Sequence, residues 1–356
     1  MVPSLVSSLP FMGTKWVTRW ENVENHRIFR ERTPQKVVVL GASFFGERFC
    51  LEPPSQPGAT QNDACMLSNV LNIEKTKFDV MKDFTFYQMT MGGTNAQVHL
   101  YFLLELLKIN DGSLKYIIYD GPRKFLLNTT EREYFNLHKK LLATLDTLPQ
   151  DLRTEKVISF EARLKKQIEF DERSGQAFTK RSRIAELQKL LQSKRAWFGE
   201  FLSGVKSALS KESDEAMFNH FLSRHNRLYE TYDKDEYTGS ILPLQKESYF
   251  EKPEDFEFLD LILDLCRKRN IQLVLYYSPS RFYYSAKEPE PYNSKIHQPT
   301  MDYLAPRGVK FLDYRDLPFL VPRDTSEGIH PSVSMKLTIA RRFLIDLNRM
   351  EHEKKN

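Results

Sequence analysis

The sequence predicts an α/β fold: a five-strand parallel sheet with crossover helices, carrying a large helical insertion. Two observations predict the sheet. Short apolar runs rich in β-branched and aromatic residues recur at 37–40, 84–89, 116–119, 271–276 and 309–312. Segments of helical length separate most of them, the rhythm of strands joined by crossovers. A third observation predicts the insertion. From 131 to about 236 the chain is dense in charge and almost without strand signal. At 356 residues it also exceeds the size at which a single core usually stops growing.

Residues 1–35 read as a lead-in, with Trp16, Trp20 and Phe29 to lie against the main domain. Val37–Leu40 form the first strand; it ends at a glycine, and Gly41-Ala42-Ser43 turns the chain sharply. A proline-rich loop follows at 52–58, then a short helix over 62–73. The second strand ends at Met91-Gly92-Gly93-Thr94-Asn95, before a strongly apolar helix over 96–108. The third runs into Asp120-Gly121-Pro122-Arg123. Within the insertion, Ile184, Leu187 and Leu191 recur at helical spacing, as do Phe198, Phe201, Leu202, Val205 and Leu209. Lys165-Lys166 and Lys180-Arg181 belong to a solvated face. After 253 come a helix at 256–269, the fourth strand, an aromatic loop, a short helix near 301–304, the fifth strand, and a last helix over 333–350 capped by Ser332. The divisions are therefore 1–35, an α/β domain of 36–130 with 254–356, and an insertion of 131–253.

Composition excludes several classes. There are 52 basic and 47 acidic residues and a net charge of +5, well short of a nucleic-acid footprint. Cys50, Cys65 and Cys266 are odd in number and far apart, which argues against a disulfide framework and against a zinc site. No run reaches the length of a membrane span. Met1 to Val17 lacks a basic leading region and is broken by Pro3 and Pro10, so it does not read as a signal peptide. A cytoplasmic location is the expectation on that ground, with a periplasmic or envelope-associated one as the alternative. His220 and His225 stand five apart on a helix and face different ways, so they are not a metal pair.

Two stretches carry chemistry. Ser43 stands at the carboxyl end of the first strand, where open α/β sheets hold their ligands. It is either a helix cap or a nucleophile. Asp324-Thr-Ser-Glu327-Gly-Ile-His330-Pro-Ser precedes the last helix. A serine hydroxyl needs an imidazole to take its proton and a carboxylate to hold that imidazole in the right tautomer. His330 supplies the first, and Glu327 or Asp324 the second.

These residues resemble the SGNH, or GDSL, hydrolase superfamily over roughly 36–128 and 254–350. In that family a serine follows the first strand, a glycine and an asparagine in later blocks donate to the oxyanion, and Asp-x-x-His precedes the last helix. The resemblance implies a three-layer, flavodoxin-like sandwich with Ser43 as nucleophile and His330 as general base. It implies Gly92 or Gly93 as the second-block donor. The looser motifs look closest to the DltD-like branch of bacterial acyl-transfer proteins. The sequence departs from the family pattern in three places. Ala42 stands where Asp is frequent, and Glu327 where Asp is usual. No third-block asparagine follows the third strand, where Asp120 and Arg123 stand instead. Asn95, Arg123 or a backbone N–H would have to replace that donor.

The expected activity is a Ser-His esterase or O-acyltransferase acting on a small-molecule or polymer acyl ester, without metal or organic cofactor. Tyr276, Tyr277, Phe282, Tyr283 and Tyr284 would either wall the site or pack the core. The rival expectation is a catalytically silent scaffold that binds a partner protein or envelope polymer through 131–253.

Overall fold

The computed structural model describes residues 35–42, 49–50, 60–61, 66–91, 96–109, 112–120, 131–173, 229–231, 256–277, 293–314, 317, 320–322 and 333–355. The expected turn beyond Ala42, the loops at 52–58 and 278–292, and the helices over 184–191 and 198–209 lie outside these residues. The chain divides into two compact units, one of 32–100, 110–127 and 213–356 and one of 1–31, 101–109 and 128–212.

The first unit is α/β and holds a five-stranded, all-parallel sheet. In chain order its elements begin with β1 (Gln35–Ala42), the two-residue strands β2 (Phe49–Cys50) and β3 (Thr60–Gln61), α1 (Leu67–Glu74) and β4 (Phe84–Met91). Then come α2 (Ala96–Ile109), of which residues 101–109 belong to the second unit, and β5 (Leu114–Asp120). In the second unit lie α3 (Glu131–Asp146) and α4 (Glu155–Arg173). The first unit resumes with β6 (Tyr229–Thr231), α5 (Glu257–Lys268), β7 (Gln272–Tyr277), α6 (Gln298–Leu304), β8 (Lys310–Asp313), β9 (Leu320–Pro322) and α7 (Val333–Lys355).

The sheet order is β4-β1-β5-β7-β8, and every pairing is parallel. Central strands are covered on both faces, so they read as unbroken apolar runs. Val37 to Leu40 of β1 and Tyr116 to Tyr119 of β5 are all fully buried. The edge strand β8 is short and exposes Lys310 and Asp313, which discourages further strand pairing. The other edge, β4, is blunted by α1. Asn72 donates from Nδ2 to the Phe86 carbonyl at 2.8 Å and accepts from the Phe86 N–H at 3.0 Å. Lys75 Nζ donates to the Phe84 carbonyl. Gln88, buried on β4, accepts from the Ser68 N–H at 3.2 Å and does the capping that Met66 cannot.

One face of the sheet packs on α1 and α7. Val37, Val39, Phe84, Phe86, Tyr116, Ile118, Val274 and Tyr276 alternate along their strands and meet Leu67, Val70 and Leu71 of α1. From α7 come Met335, Ile339, Ala340, Phe343, Leu344, Leu347 and Met350, a stripe at helical spacing. Polar contacts tether the same helix. The Tyr314 hydroxyl donates to Asp346 at 2.6 Å, and the Tyr116 hydroxyl donates to Glu351. Burial, and then the neighbouring carboxylate, pushes both phenols well above the usual tyrosine range, so both stay protonated donors. The side chains of opposite parity are met elsewhere: Tyr119 by His99 of α2, and Tyr277 by His297.

Arg341 of α7 pairs with the buried Glu74 of α1 at 2.8 Å, and Lys77 joins at 2.7 Å. Burial alone would raise the Glu74 carboxyl. The hydrogen bonds and charges of Arg341 and Lys77 outweigh it and hold the group below the usual carboxylate range. The unfolded chain therefore takes up this proton first. The stabilisation is complete above the unfolded carboxylate pKa and is lost as pH falls through the folded one. Urea midpoints should fall as pH drops from about 5 toward 3, and Glu74→Gln should flatten that slope. An unchanged slope in Glu74→Gln would count against the pair.

Where α5 ends, Asn270 takes the left-handed conformation at φ 52°. The Ile271 N–H then closes onto the Cys266 carbonyl at 2.9 Å, so asparagine does here what glycine usually does. Cys266 is fully buried, and burial pushes its thiol far up, which makes it a core residue and not a reactive one.

In the second unit, α3 and α4 join through residues 147–154. Leu137, Leu141, Leu145 and Leu148 are buried, as are Val157, Phe160, Leu164 and Ile168. Both helices are amphipathic. Lys139 bonds Glu172 across the pair at 2.8 Å, and Arg153 reaches Glu161 at 2.6 Å. Lys165 and Lys166 are exposed, as a solvated face requires. The low strand signal of 131–236 misses β6, which pairs antiparallel with β9 through Tyr229–Pro322, Glu230–Val321 and Thr231–Leu320.

Candidate functional site

The carboxyl edge of the sheet is the candidate site, and register defines it. Ala42 pairs with Met91, and Tyr277 with Asp313. One row lower, Gly41 pairs with Thr90, Asp120 with Tyr276, and Tyr276 with Leu312. Leu40 pairs with Tyr119, so Gly41 and Asp120 follow in the same row. All five strands thus end within two rows, at strand spacings of about 4.8 Å. The chain leaves β1 toward β4 on one side and then returns to β5 on the other. That reversal is a switch point, the crevice where open α/β sheets bind ligands.

Of the sequence-derived candidates, only Asp120 lies among the described residues, as the last residue of β5. Ser43, Gly92, Gly93, Asn95, Arg123, Asp324, Glu327 and His330 lie outside them, and the structure neither joins nor separates them. Their described flanks are the ends of β1 and β4, the starts of α2 and α7, and β9. Pro322 of β9 precedes the 323–332 stretch, and the pairing with β6 holds that strand.

Of the two fates the sequence leaves open for the fourth-strand tyrosines, wall or core, both Tyr276 and Tyr277 take the core. Tyr276 is buried in the core, edge-on to Phe343 at 4.6 Å and to Tyr314 at 5.4 Å. Tyr277 is buried against the His297 ring at 4.4 Å. Phe282, Tyr283 and Tyr284 lie outside the described residues.

Sequence reasoning missed a buried polar couple at this edge. His99, in the first turn of α2, is 2% exposed, and Tyr119, one residue before Asp120, is 0% exposed. His99 Nδ1 and the Tyr119 hydroxyl share a hydrogen bond of 3.0 Å, with the rings edge-on at 5.3 Å and 85°. Their only sequence signal is a single histidine on a mostly apolar helix. Among the described residues no group of three or more His, Cys, Asp or Glu could hold a metal ion. No helix among them is long and apolar enough to cross a membrane.

No protein-family model matches the chain, and comparison with curated proteins finds no significant relative.

Proposed function

We propose that the chain is a serine esterase or O-acyltransferase on a three-layer, flavodoxin-like sandwich of the SGNH hydrolase type. The strand order is the observation that supports this reading. Counted along the chain, the five core strands lie in the order 2-1-3-4-5, with the switch point beside β1. Ser43 is the next residue after β1, Gly92 the next after β4, and His330 stands three residues before α7.

In this reading the Ser43 hydroxyl adds to an acyl carbonyl while His330 takes its proton. Glu327 or Asp324 orients the imidazole. The N–H groups of Ser43 and Gly93, with Asn95, hold the oxyanion. The tetrahedral adduct expels the alcohol, which receives the proton from His330, and leaves an acyl-serine. Water, or a sugar or polyol hydroxyl, then attacks that ester with His330 again as base, and Ser43 is released. The chemistry calls for no metal or organic cofactor.

A fluorophosphonate probe tests the covalent step. Wild type should be labelled and Ser43→Ala should not. Equal labelling of the two proteins would remove the nucleophile. No labelling of either would favour a silent scaffold that binds a partner through 131–253.

A further inference from the structure

We propose that the outer face of α7 is a docking strip for an acidic amphipathic helix of a partner protein. The strip is Ile345 with Arg341, Arg342 and Arg349 around it. It lies within the α/β unit and stands whether or not the esterase reading does.

The argument starts from the two faces of α7. The inner face supplies the stripe that covers the sheet. The outer face of such a helix is expected to be polar. Ile345 stands there at 49% exposure, the only large apolar side chain so exposed among the described residues of this unit. Residues three and four positions away are its neighbours on a helix surface. Three of those four are Arg341, Arg342 and Arg349, and the fourth, Asn348, is uncharged.

The guanidinium groups are held from below. Arg341 Nε bonds Glu74 at 2.8 Å, and Arg342 and Arg349 reach the two oxygens of Asp346 at 3.4 and 3.1 Å. Both carboxylates are buried, and all three arginine side chains are more than half exposed. Lys77 also bonds Glu74, so four cations share two carboxylates and positive charge is left over to face solvent. An anchored guanidinium loses less freedom when its remaining N–H groups meet a partner. Arginine around an apolar centre is also the composition that protein interfaces favour.

Charge and spacing name the occupant. Its carboxylates must stand on both sides of an apolar side chain, along about 12 Å from Arg341 to Arg349. A helix carrying acidic residues one turn either side of a leucine meets that pattern when it lies along α7. A second copy of α7 does not, because arginine would meet arginine about Ile345 in either direction. The strip is short for a nucleic acid, whose affinity rests on many phosphate contacts. One isoleucine is also little to bury in a bilayer.

The probe is a fluorescein-labelled peptide of about 18 residues, long enough to hold a helix, with a central leucine and glutamates one turn to either side. Anisotropy is read with the full-length protein. Wild type should bind it with a Kd of about 1–100 μM. Ile345→Ser should weaken binding about tenfold or more, as should Arg342→Gln combined with Arg349→Gln. Ile345→Ser touches no ion pair, so it tests the strip even where loss of the arginines lowers Tm. Lys156→Gln combined with Lys166→Gln removes as many charges from the exposed side of α4 and should leave Kd within about twofold. No binding by wild type up to about 1 mM peptide overturns the proposal. So does an unchanged Kd in Ile345→Ser. Equal weakening by the two double variants reduces the strip to unspecific charge attraction. Tighter binding to phosphatidylserine vesicles or to a single-stranded oligonucleotide, lost in the same α7 variants, overturns the protein helix as occupant.

Discussion

Phe343→Ala is expected to cost the α/β unit about 3–5 kcal/mol, measured by urea unfolding. Phe343 is 0% exposed and belongs to the stripe by which α7 covers the sheet. Its ring stands at 4.6 Å from Tyr276 and 5.4 Å from Tyr314. Truncation removes the buried surface and leaves a cavity walled by two tyrosines that cannot follow it. Tyr276 is held in β7, and Tyr314 is held by its hydrogen bond to Asp346. Domains of ordinary stability have only about 5–15 kcal/mol in total, so the loss should be visible as a large fall in the midpoint. Ile345→Ala sits two residues away on the same helix at 49% exposure and should change stability by no more than about 0.5 kcal/mol. Similar costs at the two positions would mean that α7 does not dock through this stripe.

The contrast between those two neighbours also shows what the sequence could disclose. Periodicity reports which face of an element is buried, and the elements with strong periods were legible. Val37–Leu40 announced a central strand because both of its faces are covered. The sequence predicts the last helix to 350, and it runs to Lys355, because nothing in Glu351-His-Glu-Lys-Lys stops it. Its final turns are held by Glu351 on Tyr116, a contact 235 residues away in sequence. The short helix near 301–304 is part of a longer helical stretch from Asn293 to Arg307. Pro299 stands where the π-helical part passes into the α-helical part, and a proline there reads as a helix break in the sequence. β6 was invisible because three residues carry no period and their partner lies about 90 residues on. At the candidate site, strand ends were legible as glycine or polar turns. Which ends become neighbours was not, since order in a sheet is set by long-range packing. His99 was missed for the same reason: its partner is a tyrosine on a separate element.

If the proposed esterase chemistry holds, replacing both Ser43 and His330 by alanine will slow ester cleavage no more than replacing either one. Each single substitution should lower kcat/KM by at least about 1,000-fold. Independent residues would multiply, and the double variant would then lose about a million-fold or more. Residues that share one proton transfer cannot multiply, because removing the hydroxyl leaves the imidazole nothing to activate, and removing the imidazole leaves a hydroxyl too weak to attack. Residual cleavage in all three variants should be similar and should come from the oxyanion donors and from binding alone. The cycle reads coupling directly and so speaks to two residues that stand 287 positions apart in the chain, Ser43 beside β1 and His330 beside α7. Multiplicative losses would mean that the two act at separate places. A full-rate Ser43→Ala protein would mean that β1 ends in a helix cap and that the carboxyl edge of this sheet does other work.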